Sequence, residues 1–211
     1  MKKNVNSVLI GKKVSRKQII LPFVLLSILG IMAGRGLYYI IIKYGLVSSS
    51  FALILAFIMY LGVAFLLLPA TLNAENILFS DEYVCYYRIT GYLNKFNELF
   101  RILFKLEEKP TIIVKTSDIL RIKLSYLKYT GPRGLIGYRL KMTFFLKNDK
   151  SFYVFPVTEG QMENGDFEKA FALLERNNVE ILDEFRLRTY LIQGSSAFQK
   201  YAELIDKNKN I

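Results

Sequence analysis

Three groupings in this 211-residue chain are of types that could do chemistry. Glycines 131, 134 and 137, around Pro132 and Arg133, have the density of a phosphate cradle. Such a cradle needs backbone amides at a strand-to-helix junction. Here the run lies between two segments of alternating pattern, and no Lys-Ser/Thr follows it, so it reads as a connecting loop. Arg133 at its tip is a candidate contact for a phosphate headgroup or an acidic partner. The carboxylate pairs Asp81/Glu82, Glu107/Glu108 and Asp183/Glu184 are adjacent in sequence. Acid/base catalysis needs two groups converging on a substrate, which adjacency does not supply, and the pairs read as surface charge. Cys85 is the single cysteine and there is no histidine. Disulfide frameworks, CxxC pairs, thiolate-rich zinc sites and Ser-His-Asp or Cys-His nucleophile systems are thereby excluded. No catalytic residue, cofactor site or metal ligand is expected, and the chain reads as a non-enzyme.

Elements must account for what remains, beginning with charge. There are 29 Lys+Arg against 18 Asp+Glu, a formal charge of +11, yet 52% of the residues are hydrophobic and the mean hydropathy is +0.25. Six cations (Lys2, Lys3, Lys12, Lys13, Arg16, Lys17) precede Ile19, and Arg35 and Lys43 follow. The first carboxylate is Glu75; beyond it 21 cations face all 18 acids, a balance of only +3. The surplus is mostly a property of the first 74 residues.

Those residues hold two long apolar runs, 19–42, interrupted by Arg35, and 51–72, with no charge. As helices they would extend roughly 36 and 33 Å, against a bilayer core of about 30 Å. Arg35 falls near the far interface, where its side chain can snorkel, and Tyr38 and Tyr39 suit an aromatic belt. Gly30, Gly34 and Gly36 would let the first helix bend or pack closely on the second. The first run is too long for a signal-peptide core and ends without a small-residue cleavage site. The reading is a transmembrane helical hairpin over 19–74, after a basic N-terminus over 1–18. Six cations before the first span, against Arg35 near its far end and Lys43 in the connection, place both termini in the cytoplasm of a multi-pass cell-membrane protein.

Residues 75–211 suffice for one compact domain. In 119–129, Leu120, Ile122, Leu124 and Tyr126 alternate with Arg121, Lys123 and Ser125; in 138–147, Tyr138, Leu140, Met142, Phe144 and Leu146 alternate with Arg139, Lys141 and Thr143. Period two with β-branched and aromatic residues predicts half-buried strands. Asn148-Asp149-Lys150 is a turn into a strand over 151–157, and 82–89 and 111–115 are further strands. The outward cations Arg121, Lys123, Arg139 and Lys141 would form a basic sheet face, read as solubility or as contact with anionic lipid or nucleic acid; nucleic acid is the weaker of these. Helices are expected over 167–177 and from Ser195 or Ser196 to about Asp206.

Residues 92–107 have a different period. Leu93, Phe96, Leu99, Phe100, Leu103 and Phe104 recur at helical spacing, opposite Lys95, Asn97, Glu98, Arg101 and Lys105. Either this amphipathic helix packs on the sheet, or Phe96, Phe100 and Phe104 lie in the membrane interface with Lys95, Arg101 and Lys105 meeting anionic lipid.

Two apolar spans followed by the strands at 120–129, 138–147 and 151–157 and the helix at 167–174 resemble the small bacterial membrane proteins that carry a pleckstrin-homology-like domain. That resemblance implies an α+β membrane protein, a two-helix hairpin followed by an antiparallel-sheet domain with C-terminal helices over 75–211. It also implies interaction or protective roles, some linked to bacteriocin immunity, without obligatory phosphoinositide binding. The helix at 92–107 and the final helix depart from a minimal domain of that type. The expected function is a membrane-anchored protein whose cytoplasmic domain binds a protein partner or the lipid surface. Self-protection against a membrane-active bacteriocin and an accessory role in a secretion or transport complex are the alternatives.

Overall fold

A computed structural model describes residues 6–11, 13–72, 75–131, 134–156 and 166–209. The chain is α+β, with two long apolar helices and two largely antiparallel sheets. It divides into two compact units: Met1–Lys13, Glu75–Arg88 and Lys109–Ile211 form one, and Val14–Ala74 with Ile89–Glu108 form the other.

The α+β unit opens with β1 (Ser7–Ile10), which pairs antiparallel with β2 (Glu75–Ser80). β3 (Tyr83–Arg88) and β4 (Ile112–Lys115) complete a sheet of order β1-β2-β3-β4. The second sheet is a meander of β5 (Ile119–Thr130), β6 (Ile136–Leu146) and β7 (Ser151–Val154), with β8 (Glu180–Leu182) parallel to β5 at its edge. A single core takes Ile10, Ile77 and Phe79 from the first sheet and Ile122, Leu140 and Phe144 from the second. Helices α4 (Asp166–Arg176), α5 (Leu187–Gln193) and α6 (Ser195–Lys209) close it with Phe171, Leu187 and Phe198.

The alternation of β5 and β6 places residues as expected, with one exception. Leu120 is 49% exposed rather than inward. Ile119 pairs with Leu146 and Arg121 with the adjacent Phe145, so Leu120 is the extra residue of a β-bulge and is turned out of the core. A second departure is β1. The stretch 1–18, expected as a basic tail, carries a strand of the α+β unit at 7–10. The strand expected over 151–157 runs as β7 to Val154, and residue 157 lies outside the described residues.

The other unit is built on α1 (Arg16–Lys43) and α2 (Ser49–Leu61), the latter continued by a π-helical turn over Gly62–Leu66 and a 3₁₀ turn over Leu68–Thr71. α1, and α2 taken together with its π-helical turn as Ser49–Leu66, are long and apolar enough to cross a membrane. They pack antiparallel through small residues. A Cβ on Gly34 would lie 2.6 Å from the carbonyl oxygen of Ala56, and one on Gly30 would lie 3.0 Å from that of Tyr60. Ala52 and Ala64 are buried on the facing helix. Gly36 plays no such part, since its Cβ would meet nothing. Only 17% and 11% of the two apolar stretches are buried, unlike the core helices of a soluble protein.

Residues 92–103 form α3 (Tyr92–Leu103), a turn or more shorter than the expected 92–107. It belongs to the helical unit, with α1 and α2.

Candidate functional site

The end of the helix pair where α1 begins and α2 finishes carries a small core of its own. Ile19 of α1, Leu68 and Leu72 after α2, and Leu99 of α3 are buried together, with Val14, Phe23, Leu26 and Ile102 against them. Polar contacts hold α3 here at both ends. Tyr92 donates its hydroxyl to the carbonyl oxygen of Leu66 at 2.8 Å. That carbonyl lies where the π turn ends, and helix ends leave carbonyls without intrahelical donors. Arg16 donates from Nε to Ile102 O at 3.2 Å and from Nη2 to Leu103 O at 2.5 Å, capping the last turn of α3. A cation read from the sequence as a topology signal is thus also a helix cap.

The Phe/Leu stripe of α3 is divided between two directions. Leu99 is buried at the helix foot, while Leu93 and Phe104 are 76% and 69% exposed. Half-buried Phe96 and exposed Phe100 and Phe104 form a ladder of rings, with centroids 5.1 Å and 6.3 Å apart. The three cations beside them differ. Lys105 is exposed in the turn that ends the helix, Lys95 is half-buried, and Arg101 is largely covered and paired with Glu98 at 3.1 Å. Arg101 is therefore not the outward cation expected of it. Burial raises the Glu98 carboxyl above its usual range, opposed by the Arg101 charge.

A second surface lies on the α+β unit. Arg121, Lys123, Arg139 and Lys141 share the outer face of β5 and β6, as their alternation predicts; the register sets Arg121 against Phe145, Ser125 against Lys141 and Leu127 against Arg139. Each cation has a neighbour. The Arg121 and Arg139 guanidiniums lie 5.0 Å from the ring centroids of Phe145 and Tyr129, and Lys141 Nζ is 4.7 Å from that of Tyr153. Lys123 Nζ is 2.6 Å from Glu184 Oε1. Cation–π contacts of this kind are worth about 0.5–1 kcal/mol at exposed sites, which offsets part of the rotamer entropy of the long side chains. Gly137 is part of the arrangement: a Cβ there would lie 2.5 Å from the Tyr129 ring, so only glycine lets that ring lie across the strand. Arg133 lies outside the described residues.

Three of the carboxylates singled out in the sequence have structural partners. Asp81 pairs with Arg176 and accepts from Asn177, and the Arg176 hydrogen bond holds its carboxyl below the usual range. Asp183 accepts from the backbone amides of Leu187 and Arg188, both at 2.8 Å, and so opens α5. Glu184 is the partner of Lys123. Burial pushes the Cys85 thiol up, away from the thiolate a nucleophile requires. Among the described residues no cluster of three His, Cys, Asp or Glu could hold a metal ion. No family model, curated protein or solved structure matches the chain.

Proposed function

We propose that this chain is a non-enzymatic membrane-anchored interaction protein. In this reading α1 and α2 cross the cell membrane as a hairpin, and the α+β unit is held on the cytoplasmic side to bind an acidic protein partner through the Arg121/Lys123/Arg139/Lys141 face. One observation carries the topology. The helix pair is inserted between β1 and β2, and Ile10 pairs with Ile77 in a single sheet. The two ends of the pair then leave adjacent strands through short connections, so a hairpin with both ends on one side is the only insertion that keeps the sheet. The excess of cations before α1, with no acid in the first 74 residues, favours the cytoplasm for that side.

The mostly outward apolar surface of α1 and α2 supports lipid as their surroundings. Two antiparallel meanders followed by C-terminal helices support a pleckstrin-homology-like plan for the α+β unit, from which the parallel β8 departs. Aromatic platforms under arginines are the side-chain types that dominate protein interfaces, which favours a protein partner for the sheet face.

Purification in gentle detergent with quantitative mass spectrometry tests the partner. A stoichiometric protein should be recovered with the native chain and lost from Arg139→Glu/Lys141→Glu; equal recovery with both removes the face from the proposal. For topology, a cysteine replacing Asn208 in a Cys85→Ala background should resist impermeant reagent in intact cells, while one replacing Ser49 should react. Labelling at position 208 would overturn the cytoplasmic assignment.

A further inference from the structure

We infer that α3 is an in-plane membrane helix, its Phe96/Phe100/Phe104 side seated in the headgroup layer of the bilayer that α1 and α2 cross. This rests on the membrane reading above and assigns a second lipid-binding element within it.

Continuity of apolar surface carries the inference. The hydroxyl of Tyr92 and the guanidinium of Arg16 fix the two ends of α3 to the foot of the helix pair. At that same foot Leu21 of α1 and Leu66 at the end of α2 are exposed at the level of half or more of their surface. Leu93, Phe100 and Phe104 extend that apolar exterior sideways, on the face of α3 opposite buried Leu99. A helix with one face packed on a hairpin foot and the other face aromatic and exposed has no use for water on both sides.

Charge agrees with lipid as the occupant. Lys95 and Lys105 stand toward the two ends of α3, and Arg16 and Lys17 open α1. Basic residues flanking an aromatic face match an anionic headgroup layer.

The chain contains no tryptophan, so single substitutions report without background. Full-length Leu93→Trp, Phe104→Trp, Leu29→Trp and Leu135→Trp would be reconstituted in vesicles of phosphatidylcholine and phosphatidylglycerol containing brominated lipid. All four positions are exposed, which favours tolerance of the larger ring. Tryptophan at 93 and at 104 should emit blue-shifted and be quenched most by lipid brominated close to the headgroup. At 29, within α1, quenching should be strongest with bromine deeper in the chains, and at 135, on the α+β unit, emission should be red and unquenched. Unquenched emission at 93 and 104 with quenching at 29 would overturn the in-plane helix and leave the hairpin standing. Blue-shifted but unquenched emission at 93 and 104 would mean that protein covers α3, and it overturns the inference as well. Absence of quenching at 29 would remove the membrane reading itself.

Discussion

Arg16 donates through Nη2 to the carbonyl oxygen of Leu103 at 2.5 Å, although the two residues are 87 positions apart. The first residue of α1 thereby closes the last turn of α3, with Nε serving Ile102 in the same way. A charged donor on the carbonyl end of a helix satisfies groups the helix leaves open and opposes its dipole. Arg16→Gln should free the end of α3 from the helix foot at a cost of about 1 kcal/mol, since the contact is partly exposed. Hydrogen exchange in micelles reads this as faster exchange over α3 with α4 unchanged. Equal acceleration in both would mean that Arg16 supports the whole chain and not this contact.

Gly34 and Gly36 are two residues apart on α1 and should behave in opposite ways. A Cβ at 34 meets the Ala56 carbonyl oxygen at 2.6 Å, backbone that cannot step aside, whereas one at 36 meets open space. Gly34→Ala should force the helices apart and destabilise the pair by about 1–3 kcal/mol. Gly36→Ala should be neutral or slightly stabilising, because alanine is the better helix former. Thermal unfolding of the two variants in one detergent decides it, and equal midpoints would contradict the packing.

That pair also marks how far the sequence could be read. Spacing suggested small residues for close packing but not which of Gly30, Gly34 and Gly36 faced α2, because that depends on helix rotation. The strands β5 and β6 were legible as alternating runs down to their buried residues, but the bulge that exposes Leu120 was not, since it is set by pairing with Leu146 and Phe145. β1 was hidden because Ser7–Ile10 is four residues long and its partner lies on the far side of the inserted helices. α5 spans only seven residues, too few for a period; its one signal was Asp183, four residues before Leu187, whose amide it accepts. The alternation that sets Arg121, Lys123, Arg139 and Lys141 on one sheet face was legible, but the pairing of Lys123 with Glu184 was not. The Phe/Leu stripe of α3 was legible as a stripe but not as two faces, because its burial around Leu99 is set by contacts with Ile19, Leu68 and Leu72 far away in sequence.

Acid should loosen the α+β unit through two ion pairs. The Arg176 hydrogen bond holds the Asp81 carboxyl below its ordinary 3.8, and the Arg188 hydrogen bond holds that of Glu175 below its ordinary 4.5. A depressed folded-state pKa means that the unfolded chain binds protons first. The contribution is therefore complete above the ordinary carboxylate range and is lost as pH falls through the lowered values. Unfolding midpoints measured from neutral pH down to about pH 3 should fall, and Asp81→Asn/Glu175→Gln should flatten that fall. A double variant with the native slope would assign acid sensitivity to other groups.

Lys105 ends α3 in a conformation that glycine would hold with less strain. Its φ is +57°, in the left-handed region. Its amide donates to Ile102 O and that of Leu106 donates to Arg101 O, the two hydrogen bonds of a Schellman turn. A lysine there bears the steric cost of its Cβ, and only the closing bonds and the Arg16 cap hold it. Lys105→Gly should relieve that strain and stabilise the end of α3 by about 0.5–1 kcal/mol, whereas Lys105→Val should cost at least as much. Exchange protection of the Leu103 and Leu106 amides in micelles, where headgroup charge plays no part, separates this backbone effect from any loss of a lipid-facing cation. Protection that rises with glycine and falls with valine confirms the turn, and the reverse order would refute it.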